Sequence, residues 1–451
     1  MRTDVLVVGG GPGGIISAVV GRTIYHDKTF TLVRKEPRAV VPCGIPYVFN
    51  TLNSVDENIM GDAQLEKNDI NLIIDTVTSI DRPSKTAFLK SGEKIAFEKL
   101  VLATGSVAAA PHGLMNQKLT GIFIVKKDLE YLRVMREKIV EAKNVVIVGG
   151  GFIGVEIADE IKHMPDKSVS IVEMSNRLLE QSFDKEFSDK VENLLRQENL
   201  NIITERKIVG YEGDKAVQAV VLDDGTKIPA DAVILSIGAR PQTKLAEEMG
   251  LEVSPLGGIK VDEFMRTSDK DIFAVGDCAE KRCFFCRSHI NTMLASTATA
   301  EARSAGANLY HIKMIEMNKG TIGIYSTKVG GHSLATAGHT EAKLKMDDYE
   351  VITGVSSGVD RHPLTIPDKS ELYVKMIFSK YSGILMGAQV YGGDSVGELI
   401  NTIGLAIQSK LTMTDIATIQ YGTHPLLTAA PTTYPLIACA LDALSKSYQS
   451  K

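Results

Sequence analysis

The feature that most constrains this chain is a pattern it contains twice. Residues 4–23, DVLVVGGGPGGIISAVVGRT, run β-branched residues into Gly9, Gly11 and Gly14 and then into an apolar helical stretch. Residues 144–161, NVVIVGGGFIGVEIADEI, repeat it with Gly149, Gly151 and Gly154. Each copy is G-x-G-x-x-G in the strand, tight turn and helix context that a dinucleotide requires. The glycines permit the turn and let the backbone approach a pyrophosphate held on the helix N-terminus. Two complete copies, 140 residues apart, imply two dinucleotide sites and a doubly wound α/β fold.

An acidic residue follows each copy at the distance where a ribose hydroxyl would lie. The stretch FTLVRKE ends in Glu36, with Lys35 before it, and VSIVEMSNR places Glu173 at its strand end. A carboxylate there accepts from a 2′-hydroxyl and repels a 2′-phosphate, so the second site is expected to prefer NADH. Arg177 stands close enough to admit NADPH. KLVLATGS (99–106) and DAVILSIGARP (231–241) each close one dinucleotide domain. TSDKDIFAVGDCAE (267–280) then puts Asp277 at a strand end, where it can hold the ribityl hydroxyls of FAD. The helix that follows can turn its positive end to the flavin's pyrimidine edge. From about residue 318 the texture changes to antiparallel strands and helices without a nucleotide fingerprint.

Composition narrows the partners. The chain has 451 residues, 44% apolar and 23% charged, and a net charge of -5, which gives no attraction to nucleic acid or anionic membrane. No apolar run is long enough to span a bilayer. MRTDVLVVGGG enters a strand at once, leaving no room for a signal peptide. Five scattered cysteines do not make a disulfide scaffold, so a reducing cytoplasm is the expected home.

One cysteine stands apart. VVPCGIPYVF (40–49) holds Cys43, and after four intervening residues, where a partner cysteine would complete a disulfide, stands Val48. The segment reads as the first turn of a helix, whose positive end would favour the reactive thiolate.

In order, the chain shows the first fingerprint, CGIPY, an ATG turn, the second fingerprint, GDCAE and an α+β tail. It resembles the pyridine nucleotide-disulfide oxidoreductases over essentially its whole length. Within them it is similar to the single-cysteine branch: CoA-disulfide reductases, NADH oxidases and peroxidases, and persulfide or polysulfide reductases. The resemblance implies two Rossmann-like dinucleotide-binding domains, for FAD and NAD(P), plus a C-terminal α+β dimerisation domain. The expected boundaries are 1–112 with 249–317 for FAD, 113–248 for NAD(P)H and 318–451 for dimerisation. The implied FAD residues are Gly9, Gly11, Pro12, Gly13, Gly14, Lys35, Glu36, Cys43, Val77, Ala103, Thr104, Gly105, Asp277 and Ala295. Those implied for NAD are Gly149, Gly151, Ile153, Gly154, Glu156, Glu173 and Gly238. Glu156 is read as facing the nicotinamide side of the flavin or as a solvated helix charge.

Without a resolving cysteine, the oxidised form of Cys43 is a mixed disulfide, a persulfide or a sulfenic acid. Branch members that use a sulfenic acid usually carry a histidine in the first glycine turn, which here reads Gly-Gly-Gly-Pro-Gly-Gly. The expected substrate is therefore a small disulfide, persulfide or polysulfide, with oxygen or peroxide reduction and electron-carrier reduction as alternatives. CoA is a candidate ligand, and Arg22 a candidate for its phosphate. The resemblance also implies a homodimer in which Tyr421 or His424 donates to the leaving thiol at the partner's site; Ala429 stands where a histidine's usual glutamate partner would be. DCAEKRCFFCRSH (277–289) adds Cys278, Cys283, Cys286 and His289. It reads as a metal site, as a redox dithiol with pKa values lowered by Lys281, Arg282 and Arg287, or as inert loop cysteines, with Cys278 turned inward. No metal is assigned.

Overall fold

The computed structural model describes residues 1–109, 113–115, 118–315 and 320–449. The chain divides into two compact units.

The first unit comprises Met1–Pro111, Ile124–Val140 and Ile237–Thr321. Its main sheet has five parallel strands, in the spatial order Ile272–Ala274, Lys99–Leu102, Val5–Val8, Phe30–Arg34, Asn71–Ile74. Val5–Val8 and Phe30–Arg34 are buried at every residue, which is why they read as continuous apolar runs rather than as alternation. Helices Pro12–Ile24 and Ala295–Ala307 pack on each other. Val77 opens an antiparallel three-stranded sheet with Thr86–Leu89 and Lys94–Ala96.

Residues 124–140, expected within the NAD(P)H domain, belong instead to this unit. The helix Leu129–Glu141 is tied here by Arg136, whose guanidinium donates to the carbonyls of Val48 (2.7 Å) and Asn53 (2.9 Å). Arg133 pairs with Asp56. Of the expected boundaries, 317/318 lies outside the described residues, and so does the 112 side of 112/113.

The second unit comprises His112–Phe123, Glu141–Ser236 and Ile322–Lys451. It repeats the winding: Ala232–Leu235, Asn144–Val148, Ser168–Val172 and Asn201–Ile203 are parallel neighbours, with Ile122–Ile124 flanking them. Its C-terminal part is an antiparallel sheet in the order Ile324–Val329, His332–Gly338, Leu385–Gly392, Glu371–Ser379, Val351–Val359. Helix Val396–Gln408 packs on the first three of these strands and Pro435–Gln449 on the last two.

A buried polar knot explains why these two parts form one unit. Asp184 receives the backbone N–H groups of Glu341 and Ala342 and the amide of Gln389, and it pairs with Lys375 at 3.0 Å. Lys375 also meets Glu186 and Glu341, and its three carboxylates outweigh burial and hold its pKa above the usual range.

Candidate active site

In the first unit, Gly9 has φ +115°, and a Cβ there would strike the Ala103 carbonyl at the end of the Lys99–Leu102 strand. A Cβ at Gly14 would fall on the Gly9 carbonyl oxygen. Only glycine lets the helix Pro12–Ile24 start this close to the strand. Gly11 is the extended N-cap with open space beside it, Pro12 follows at the first helical position, and no side chain caps the helix. Gly13 lies against Val275 and Ala298.

The acidic position needs a correction: the strand ends at Arg34, so Lys35 and Glu36 stand on the turn beyond it. Arg34 explains the turn. It is buried beneath Gly10, grips Asp62 with two nitrogens (2.5 and 2.7 Å), and donates to the carbonyls of Glu36 and Pro37, each at 2.9 Å. Ala103, Thr104 and Gly105 form the turn after the Lys99–Leu102 strand; Gly105 has φ +70° and Thr104 Oγ1 donates to the Gln242 carbonyl at 2.6 Å.

Asp277 lies in a one-turn 3₁₀ segment, Gly276–Cys278, just beyond the strand Ile272–Ala274. Its Oδ2 accepts from Ser106 Oγ (2.7 Å) and Lys127 Nζ (3.0 Å). Burial pushes its pKa up, but Lys127 and the Ser106 hydroxyl outweigh it and hold the carboxyl below the usual range. Beneath the turn, the buried pair Lys281–Glu301 (3.0 Å) takes the Gly276 carbonyl and N–H. Ala295 is the first residue of Ala295–Ala307, a helix that no side chain caps.

The segment of Cys43 also departs from expectation. It is not an α-helix but two successive 3₁₀ turns, Pro42–Gly44 and Pro46–Val48. Prolines four positions apart remove N–H groups that an α-helix would need. The segment itself therefore supplies no α-helix N-terminus at Cys43. Cys43 is exposed, whereas Val48 is fully buried, so the partner position is a core position in this chain. The turn is fixed by Asn58, whose amide donates to the Val41 carbonyl at 3.0 Å while the two backbones pair.

In the second unit the glycine geometry recurs. Gly149 has φ +104°, a Cβ at Gly154 would fall on the Gly149 carbonyl oxygen, and Gly151 is an uncapped N-cap beside open space. Ile153 is exposed on the first turn of Phe152–Lys162; Gly238, expected at the same cofactor, falls in the first unit, with φ +98°. The two oxygens of Glu173 accept from the N–H groups of Gly150 (2.6 Å) and Ser175 (2.7 Å), which sets the carboxylate at the glycine turn. Arg177 is compensated by Glu180 at 3.2 Å.

Glu156 is not a solvated helix charge. It is buried and accepts a 2.7 Å hydrogen bond from Thr327. Desolvation, with Asp159 and Glu160 nearby, pushes its pKa from the usual 4.5 to about 7. The folded protein thus holds this proton more tightly than the unfolded chain does. Its contribution to stability is lost as pH rises from 4.5 to about 7, a loss of about 3 kcal/mol at 1.36 kcal/mol per unit. Glu156→Gln keeps an acceptor for Thr327 and removes this slope. Urea midpoints at about pH 5 and about pH 8 should differ less in the variant than in the wild type; equal differences would refute the assignment.

The family model for pyridine nucleotide-disulphide oxidoreductases matches residues 3–302, and the model for their dimerisation domain matches residues 324–434. The chain belongs to this family. An NADH oxidase of Methanocaldococcus jannaschii is 28% identical, covering 98% of both chains. An NAD(P)H coenzyme A polysulfide/persulfide reductase of Pyrococcus horikoshii is also 28% identical, again over 98% of both. Among solved structures, an NAD-dependent persulfide reductase from A. fulgidus superposes with a TM-score of 0.91 at 29% identity, over 100% of this chain and 84% of that one.

Pyridine nucleotide-disulphide oxidoreductases bind FAD and NAD(P)H. Both cradles suit a pyrophosphate, since each is an uncapped helix start with open space beside its N-cap glycine, Gly11 or Gly151. As an oxidoreductase of this family the chain has the expected fold class: two Rossmann-like dinucleotide-binding parts and an α+β dimerisation domain. Among the described residues, no helix is long and apolar enough to cross a membrane.

The remaining expectations divide. Tyr421 stacks on Tyr434 (4.3 Å), and burial pushes its pKa up to about 12. His424 is exposed, and its Nδ1 accepts from the Leu426 N–H at 3.2 Å, which leaves the proton of the neutral ring on Nε2. Arg22, the candidate for a CoA phosphate, donates to the His26 carbonyl at 2.7 Å at the end of its own helix. Cys278 is turned inward, its sulfur against the carbonyls of Leu102 and Val275, which removes it from any metal site with Cys283 and Cys286. Two of the three cations expected to activate that pair are engaged elsewhere: Lys281 with Glu301 and Arg282 with Glu280.

Arg34, Asn58, Lys127 and Arg136 were not foreseen. Lys127, Asn58 and Arg136 act across 17 to 150 residues of sequence, and no motif announces them. Arg34 reads as an ordinary strand-end cation.

Proposed function

We propose that the chain is an FAD-dependent NAD(P)H oxidoreductase that reduces a small disulfide, persulfide or polysulfide through Cys43. The observation that carries this reading is the exposed Cys43 in a braced turn whose partner position is a buried valine. A thiolate there attacks the sulfur–sulfur bond of the substrate, forms a mixed disulfide or persulfide, and releases a thiol or sulfide. FAD and NAD(P)H, when bound, supply the two electrons that return Cys43 to thiolate. The substrate's own sulfur takes the place of a second protein cysteine.

The names of the P. horikoshii and A. fulgidus proteins support a sulfur substrate, and the former supports CoA as carrier. The M. jannaschii name favours oxygen as the alternative acceptor, against which stands a first glycine turn without histidine. FAD is assigned to the first fingerprint, with Asp277 and Ala295, and NAD to the second. Dimerisation through residues 318–451 accords with the exposed Ile419, Leu426 and Leu427 around Tyr421 and His424. In such a dimer His424 Nε2–H or the Tyr421 hydroxyl donates to the thiol leaving the partner subunit's Cys43. A cytoplasmic location follows from the need for a reduced Cys43.

The test is an anaerobic NADH assay against CoA disulfide, CoA persulfide, polysulfide, oxygen and peroxide. Turnover with one of the sulfur compounds at least about tenfold above oxygen and peroxide is expected; the reverse order would hand the function to the oxidase reading. NADH is the preferred donor because Glu173 is held at the glycine turn. Glu173→Ala should lower the ratio of kcat/KM for NADH over NADPH about tenfold. An unchanged ratio would remove Glu173 from the choice.

A further inference from the structure

Cys283 and Cys286 sit at the tip of a hairpin in the first unit, paired through Lys281↔Ile290 and Arg282↔His289. The Arg287 N–H bonds to the Cys283 carbonyl at 3.1 Å, closing one helical turn. Residues three apart in such a turn share a face, and the Cys286 N–H points at Cys283 Sγ from 3.5 Å. The turn is built in: the Cys283 N–H bonds to the Ser288 carbonyl (2.8 Å), the Phe284 N–H to the Thr321 carbonyl (3.1 Å), and Arg287 takes φ +60°.

The two sulfurs are in opposite circumstances. Cys283 is 1% exposed, whereas Cys286 is exposed and its sulfur lies 3.0 Å from the Ser288 hydroxyl. Burial pushes the Cys283 thiol up. At Cys286 burial also pushes upward, but the Ser288 hydroxyl and N–H together with the Cys283 sulfur outweigh it and hold the thiol below its usual range. An accessible thiol beside a buried one is the arrangement in which the first attacks and the second resolves.

We propose that Cys286 and Cys283 form a second, NADH-independent sulfur-reducing site, in which Cys286 attacks sulfane sulfur and Cys283 resolves it. That the oxidant is a persulfide or polysulfide rests on the function proposed above; the dithiol geometry does not. The Cys286 thiolate attacks the outer sulfur of a persulfide R–S–SH. A bond forms from Cys286 Sγ to that sulfur, the sulfur–sulfur bond of the persulfide breaks, and R–S⁻ leaves and takes a proton as R–SH. Cys283, giving up its proton, then attacks Cys286 Sγ; the disulfide forms and hydrogen sulfide leaves. The sulfane sulfur gains two electrons and the dithiol loses two. A low-molecular-weight thiol or dithiol restores the pair and is itself oxidised to a disulfide.

The experiment uses full-length flavin-loaded Cys43→Ser protein, reduced, desalted and kept anaerobic without NADH. One equivalent of glutathione persulfide is added, remaining thiols are alkylated, and peptide masses and free sulfide are measured. The expected peptide carries no alkyl group on Cys283 or Cys286, is lighter by two hydrogens, and accompanies about one sulfide per chain. Adding Cys283→Ala should stop the reaction at a Cys286 persulfide, heavier by one sulfur. Adding Cys286→Ser should leave Cys283 alkylatable. With excess dithiothreitol, sulfide release should fall about tenfold or more when Cys286 is changed. The Cys43→Ser protein needs no change at the buried position, so a folding failure of the Cys283 variant does not decide the matter. Two alkylated cysteines after persulfide treatment, with sulfide release indifferent to Cys286, would overturn the proposal. Loss or survival of NADH-driven turnover in Cys43→Ser is read separately and bears on Cys43 alone.

Discussion

Replacing Cys43 by serine should lower NADH-dependent reduction of the sulfur substrate by about 10³-fold or more, while NADH still bleaches the flavin. A serine hydroxyl is almost wholly protonated at neutral pH and forms no stable bond to sulfur, so the step that breaks the substrate's sulfur–sulfur bond loses its nucleophile. The fold should tolerate the change. Cys43 is exposed, and backbone bonds and Asn58 brace the turn around it. Stopped-flow absorbance of the flavin and steady-state assays separate the two half-reactions. A variant with full turnover would move the chemistry away from Cys43, toward direct electron transfer from flavin to an acceptor.

Gly154→Ala is expected to have the second-largest effect, and a selective one. The added Cβ would fall on the Gly149 carbonyl oxygen and press on the Ser236 hydroxyl, with no flexible side-chain end to yield at the carbonyl. The helix Phe152–Lys162 must withdraw from the strand Asn144–Val148, at a typical cost of 1–3 kcal/mol for overpacking, about. Its N-terminus then no longer meets a pyrophosphate bound at the turn. KM for NADH should rise about tenfold or more with flavin content unchanged, because the first cradle lies in the other unit. Gly14→Ala should do the converse and yield protein poor in flavin. Equal flavin loss in both variants would mean that the two fingerprints do not divide the cofactors as assigned.

The fold was legible because its decisive elements are local. A strand, three glycines at fixed spacing and a helix lie within about twenty residues, and both copies form as read, down to the approach of Gly14 to Gly9 and of Gly154 to Gly149. What the sequence concealed are groups brought together across long separations. Asp277 could be picked out from its place after a strand, but not Lys127, which reaches it from 150 residues away. Glu156 read either as facing the nicotinamide or as a solvated helix charge, and its burial against Thr327 rules out the second. The misread helix at Cys43 has a local cause: Pro42 and Pro46 are each acceptable at a helix start, yet together they permit only two short turns. The polarisation of Cys286 by Ser288 depends on a turn two residues long that no pattern of charge predicts, while two of the nearby cations, Lys281 and Arg282, pair with glutamates.

The central claim is that Cys43 carries the substrate's sulfur. Wild-type protein, reduced by NADH without oxygen, can be mixed with about one equivalent of CoA persulfide, quenched with acid and digested for peptide mass. The account predicts a mixed disulfide or an added sulfur on Cys43, decaying as NADH is consumed. An unmodified Cys43 throughout turnover, or one found only as sulfenic acid after oxygen or peroxide, would contradict it.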